Sequence, residues 1–447
     1  MFVATFDIIT FLISSIWLIK SLKNIAKGSR YFINALIYVF YVLPLGMDYF
    51  IEMADYSYSG FWGFIAPRQD VLTVIFYDLG MLYTQYMILF HRVKKSDTLY
   101  QNNVNESNYT PWVVLGMIIP AVAVLLLLRQ PGMLYMFQWR ELELFPADGS
   151  YATIEKFTYL GVSCSVFLLF DLNKKWYHPL RLIALAFLMV NICIQGKRAI
   201  MFFAMINVAV LVYLRFNALV AKNKHIFVFI VFGLALLVIA VYSMVFMTVT
   251  VKMDRGYNVD DTSVMYTTTR IDFLRDDRVR LAIYSELHKD EVEILDYPLQ
   301  TYAGDIFGFI PLNYIPSLVG MKIYSYQTYF TYAVIHKKRS GNLDVANNSF
   351  MTVSCFAELI SNLGLLLGMA LMPFICLWFA RRIDKYPYPF NAFIICSFIL
   401  LHLFDVMYIA IYLELTFFLC LIYKNKRKQP YIKNSLIKKL INENETI

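Results

Sequence analysis

Charge is scarce in this sequence. Asp, Glu, Lys and Arg make up only 16% of its 447 residues, and 59% are hydrophobic. Soluble domains carry about 25% charged residues. With a mean hydropathy of +0.55, the chain disfavours a soluble enzyme as a class. Cysteine chemistry is missing too. Cys164, Cys193, Cys355, Cys376, Cys396 and Cys420 each lie in or beside an apolar run, with no C-x-x-C pair and no clustered His. They read as small packing residues, with neither a disulfide framework nor a zinc site suggested. Lys and Arg are scattered through short loops rather than gathered on one face, which argues against nucleic acid. The 37 Phe and 33 Tyr exclude intrinsic disorder.

What is present is a series of apolar runs. Crossing the hydrocarbon core takes about 20 mostly apolar residues. Eleven candidates appear, at 3–20, 31–50, 71–91, 112–128, 157–172, 180–195, 199–215, 226–250, 351–379, 389–405 and 407–423. No basic residue precedes the first run, while Lys20, Lys23, Lys27 and Arg30 follow it. That is the wrong polarity for a cleaved signal. The expected fold is an all-α polytopic membrane protein of about eleven transmembrane helices. It divides into a membrane domain, 1–423, and a basic tail, 424–447, with Ile432, Leu436 and Leu440 on one face of a short amphipathic helix.

Orientation follows from the basic loops. Arg92, Lys94, Lys95, Lys174, Lys175, Arg381, Arg382 and the tail lysines share one side when eleven spans are counted. The expectation is an outside N-terminus and a cytoplasmic C-terminus. The opposite side then carries one long, partly helical loop, 251–350. Loops of that length are functional or disordered. Residues 298–330, rich in Tyr, Phe, Pro and Gly, suggest an ordered lid near the membrane.

Three clusters bear on chemistry. In the loop, Arg270-Ile-Asp272-Phe-Leu-Arg275-Asp276-Asp277-Arg278-Val-Arg280 mixes charged and apolar residues like a helix lying on a surface. One reading is solvated salt bridges, each worth little. The other is a diphosphate site, since a guanidinium fork matches phosphate oxygens and keeps its charge. Arg278, flanked by Asp276 and Asp277, is expected to be neutralised locally. Lys197 and Arg198 sit between two apolar runs at the outer end of a hairpin. They are either cations snorkelling to headgroups or a phosphate site at the start of the next helix. Asn347, Asn348 and Ser349 read as a helix N-cap. Glu358 is expected about two turns inside that helix, facing a partner or an aqueous cavity. Asp78 and Glu414 read as polar packing between helices.

Taken in order, Gly196-Lys197-Arg198-Ala199, Thr267-Thr-Thr-Arg270, and Asn347-Asn348-Ser349 through Glu358, Gly364 and Gly368 resemble the bacterial O-antigen polymerase and ligase superfamily, the Wzy-type repeat-unit polymerases. The resemblance covers about residues 180–380. It implies a GT-C-like membrane glycosyltransferase in the bacterial cytoplasmic membrane. Such an enzyme takes undecaprenyl-diphosphate-linked oligosaccharide as both donor and acceptor, requires no cofactor or metal, and admits a chain-length regulator as a further partner. The product would be O-antigen, capsule or exopolysaccharide. Arg198 and Arg270 are the first choices for the diphosphate, followed by Lys197, Arg275 and Arg280. Asp272, Asp276, Asp277 and Glu358 are the candidates for proton abstraction. The ligase branch has His where this chain has Asn347, and Asn takes up no proton at neutral pH, so the polymerase branch fits better. No D-x-D pair appears. A flippase or transporter of lipid-linked oligosaccharide is the rival from another class, and the ligase a nearer one. Transporters tend to show repeated halves, and none are visible between 1–223 and 224–447.

Overall fold

A computed structural model describes residues 2–50, 66–91, 113–114, 116–118, 149–169, 178–195, 203–214, 274–309, 312, 315–336, 352–386 and 388–421. Among them every regular element is helical. Four helical stretches are long and apolar enough to cross a membrane: Thr5–Asn24, Ser29–Met47, Val71–Phe90 and Leu365–Lys385. Their exposed residues are large and apolar, such as Ile16, Leu79, Leu366 and Trp378, the surface that lipid tails would cover.

The first of these lies in α1 (Phe2–Asn24). The second begins as α2 (Ser29–Ile37), widens into a π-turn at Tyr38–Val42, and continues as α3 (Leu43–Phe50). The third is α4 (Val71–Phe90), capped by Asp70, whose carboxylate accepts from the Thr73 amide at 2.8 Å. Further along come α5 (Gly149–Leu169), α6 (Pro179–Gln195) and α7 (Phe203–Leu214). The described part of the long loop holds α8 (Asp276–Leu287), α9 (Tyr302–Phe307), α10 (Ile315–Leu318) and α11 (Tyr326–His336). The chain closes with α12 (Cys355–Leu363), α13 (Leu365–Lys385), α14 (Phe390–Leu403) and α15 (Val406–Leu421).

The apolar run at 351–379 is therefore not one helix. Gly364 breaks it with φ +79° and ψ 165°, a region open essentially only to glycine. The chain turns there, and α12 packs back on α13 so closely that a Cβ on Gly368 would lie 2.6 Å from Ile360 Cα. The two glycines of the sequence motif thus have separate duties, one making the corner and the other admitting the backbone contact.

Helices α1, α2, α4 and α13 pack together, with α8 and α12 against one end. At the opposite end the Ser29 hydroxyl donates to the Ala380 carbonyl at 2.8 Å and its amide to Asp384 at 3.0 Å, fastening α2 to α13. Helices α5, α7, α14 and α15 meet through buried pairs such as Ser163–Tyr412 at 2.9 Å and Cys396–Asn207 at 3.2 Å. The five described cysteines are free and buried, as their apolar setting predicts.

Candidate functional site

The described part of the loop cluster, residues 274–280, is not a surface helix. Arg275, Asp276, Asp277, Arg278 and Arg280 are all at most 2% exposed, because α8 is sunk among α4, α12 and the π-turn rather than laid upon them. Hydropathy predicts the opposite, so each charge needs a partner to be tolerated there. The partners come from distant parts of the chain. Arg275 donates its backbone amide to the Phe40 carbonyl at 2.8 Å, and its guanidinium to the carbonyls of His402 at 3.1 Å and Leu274 at 2.9 Å. The π-turn makes the first of these bonds reachable. Its i→i+5 spacing disturbs the regular ladder, and the neighbouring Tyr41 carbonyl accepts from the Tyr77 hydroxyl at 2.5 Å.

Arg278 donates to the Thr352 carbonyl at 3.1 Å and lies 3.8 Å from Asp277. Its neutralisation by a neighbouring aspartate holds, but in the interior rather than at a solvated surface. Arg280 pairs with Asp7 of α1 at 2.5 Å and stacks on the Tyr77 ring at 4.5 Å. Asp78 of α4 stands within electrostatic reach of both Asp7 and Arg280, in keeping with its reading as interhelical polar packing. Asp276 and Asp277 occupy the first turn of α8, where the helix dipole favours a carboxylate.

A second constellation gathers at Glu358. This residue lies in the first turn of α12, not two turns in, because the helix begins at Cys355 behind an N-cap from Ser354, whose hydroxyl accepts from the Phe356 amide at 3.2 Å. The Thr301 hydroxyl, just before α9, donates to Glu358 at 3.1 Å and accepts from Asn362 at 2.7 Å. Asp305 of α9 stands within electrostatic reach of Glu358, and the Asp405 carboxylate acts on both. Asp405 is itself fixed, accepting from the amides of Tyr408 at 2.7 Å and Gln327 at 3.0 Å. Three carboxylates from α9, α12 and the start of α15 thus converge, each at most 6% exposed. Burial, reinforced by the Asp405 charge, pushes Asp305 up to about 7. The chemical capacity is that of an acid pair able to pass one proton between its members.

Between the two constellations lies a polar seam. Tyr41 in the π-turn meets the Ser354 hydroxyl at 2.5 Å and His402 Nδ1 at 2.6 Å. It ties the N-cap of α12 to α14 and to the π-turn, so α8 and α12 are referenced to the same backbone.

Of the residues singled out from sequence, Arg275, Asp276, Asp277, Arg280 and Glu358 fall within these packed elements. Lys197, Arg198, Arg270, Asp272, Asn347 and Asn348 lie outside the described residues. Sequence reasoning passed over Asp7, Asp305 and Asp405. Asp305 carried a visible signal as the sole formal charge in 297–321. Asp405 sits between two apolar runs, where an N-cap is expected. Among the described residues no three His, Cys, Asp or Glu side chains are arranged to hold a metal. No protein-family model, curated protein or solved structure matches the chain.

Proposed function

We propose that the chain is an integral-membrane glycosyltransferase that polymerises undecaprenyl-diphosphate-linked oligosaccharide repeat units into surface polysaccharide. In this reading it crosses the bacterial cytoplasmic membrane about eleven times, with its N-terminus outside and its C-terminus inside. One observation supports the reading above the others. The Arg/Asp-rich loop segment and the Glu358–Gly364–Gly368 segment, remote in sequence, pack directly against one another as α8 and α12.

The chemistry asked of such a site is limited. An acceptor hydroxyl attacks the anomeric carbon, the bond to the diphosphate oxygen breaks, and the new glycosidic bond forms. The hydroxyl proton passes to a base, and lipid diphosphate leaves. The leaving group is already good, so holding the acceptor in line and meeting the charge on the diphosphate do most of the work. Glu358, oriented by Thr301 and set beside Asp305 and Asp405, takes the role of base in its ionised form. Of the described candidates Glu358 is preferred, because Asp276 and Asp277 are engaged at the buried start of α8. Arg275 and Arg280 are assigned to positioning α8, and the diphosphate is assigned to Arg198 and Arg270, with Lys197 behind them.

Glu358→Gln tests the proposal because it keeps an acceptor for Thr301 and removes the base. A positioned base contributes about 10²–10⁴-fold. Polymerisation of purified lipid-linked repeat units should therefore fall at least about a hundredfold while the protein remains folded in the membrane. Unchanged polymer in the Gln variant would remove Glu358 from the mechanism. A deletion strain should carry single repeat units on the carrier outside; loss of all external repeat units would indicate a flippase.

A further inference from the structure

Within the loop the composition changes abruptly. Residues 286–296 hold six formal charges in eleven positions, whereas 297–321 hold a single one, Asp305, in twenty-five. Much of the described part of the charge-poor stretch is exposed. Leu318 is 82% exposed, Val319 66% and Ile306 56%, while Asp305 is turned inward. A water-facing segment of this length ordinarily carries many charges, and an exposed apolar patch of this kind marks a contact with something else.

Two attachments fix the stretch against its neighbours. The Leu299 amide donates to the Asn362 carbonyl at 3.0 Å, next to the corner where α13 begins. Exposed Leu366 and Leu367 start that span. Helix α9 meets α15 through Gly304 and Gly308. A Cβ on Gly304 would lie 3.7 Å from the Met407 sulfur, and one on Gly308 3.1 Å from Ala410 Cβ. The stretch is therefore fastened at the corner that precedes α13 and packs against the first turns of α15.

We propose that the described residues of 297–321 belong to a strap seated in the adjoining bilayer leaflet, its exposed face covered by lipid acyl chains. The apolar face of the strap continues the lipid-facing surface of α13 and α15, and acyl chains are the occupant that continuity selects. Interfacial segments hold themselves in this way by apolar area rather than by crossing. The inference is independent of the glycosyl-transfer reading and needs only that the long helices span a bilayer.

Nitroxide labels at Leu318→Cys and Ile306→Cys in the full chain, reconstituted in phosphatidylethanolamine/phosphatidylglycerol nanodiscs, test it by EPR power saturation. Phe417→Cys on α15 provides a lipid-facing reference and Asp290→Cys a water-facing one, each read above the unsubstituted parent. Both strap labels should match the Phe417 label in being accessible to oxygen and inaccessible to a water-soluble nickel chelate. Ratios matching Asp290 would overturn the proposal. Exclusion of both reagents would also overturn it, because a second copy or another protein would then cover the face.

Discussion

Replacing Arg280 with Met keeps much of the side-chain volume and removes the charge. In the native arrangement that charge lies 2.5 Å from Asp7 and 4.5 Å from the Tyr77 ring centroid. Asp78 is close enough to feel it. Breaking a buried ion pair from one side costs about 3–5 kcal/mol, since the surviving charge stays desolvated. Methionine restores some apolar contact, so the lower end, about 3 kcal/mol, is the working figure. One kcal/mol moves Tm by about 2–4 °C in chains of 150–250 residues and by less in longer ones, giving an expected drop of roughly 5 °C here. Thermal unfolding of the detergent-purified protein, followed by loss of the monodisperse chromatographic peak, reads this directly. The double variant Asp7→Asn/Arg280→Met removes both charges and should recover about half of the loss, as coupled neighbours do. Two results would refute the reasoning. A single variant melting within about a degree of the parent means that the ion pair does not hold α8. A double variant no better than the single one means that Asp7 is not the group Arg280 serves.

Three further expectations concern neighbouring positions. Arg278→Ala removes a guanidinium bound to the Thr352 carbonyl from a fully buried site; it should lower Tm by several degrees, and a variant as stable as the parent would return this residue to a solvated surface. Gly368→Ala drives a Cβ into the backbone of Ile360; α12 must separate from α13, and membrane-integrated, monodisperse protein should fall sharply, with normal yield and activity counting against the close contact. For Asp305, raised from 3.8 to about 7, the folded chain holds a proton that the unfolded chain releases. Stability should therefore decline as pH rises from about 4 to about 7. A Tm series across that window should be flatter for Asp305→Asn; superimposable profiles would show that the carboxyl is not buried as described.

The long helices were legible because spanning runs are a property of local composition. The runs at 3–20, 31–50 and 71–91 correspond closely to α1, α2 with α3, and α4. The run at 351–379 misled in one respect, since hydropathy does not register the sign of a dihedral, and Gly364 turns the chain near the middle of a mostly apolar stretch. Helix α8 was misplaced for a different reason. Five of the twelve residues in Asp276–Leu287 are charged, and composition alone assigns such a helix to water. Its burial depends on partners such as Asp7, Phe40 and Thr352, between 74 and 273 residues away for the Arg278 and Arg280 bonds, which no local window contains. Glu358 could be singled out because an isolated acid in an apolar run is conspicuous. Its neighbour Asp305 was less so, since loops are expected to carry acids, and only the contrast with its twenty-four uncharged neighbours gives it away.

The π-turn at Tyr38–Val42 also makes the second membrane helix sensitive to where its length is changed. A wide turn amounts to one residue more than a regular α-ladder needs. Deleting a single residue between 38 and 42 would let the ladder close and keep the flanking faces nearly in phase, so Gly46 would stay on the Phe11 ring and Ile33 and Ile37 in the core. What would be lost is the displaced ladder that offers the Phe40 carbonyl to Arg275 and the Tyr41 carbonyl to Tyr77. A deletion on either side of the turn has no surplus to absorb it, and each α-helical residue carries about 100° of rotation. Such a shortening would move two faces of the bundle out of step.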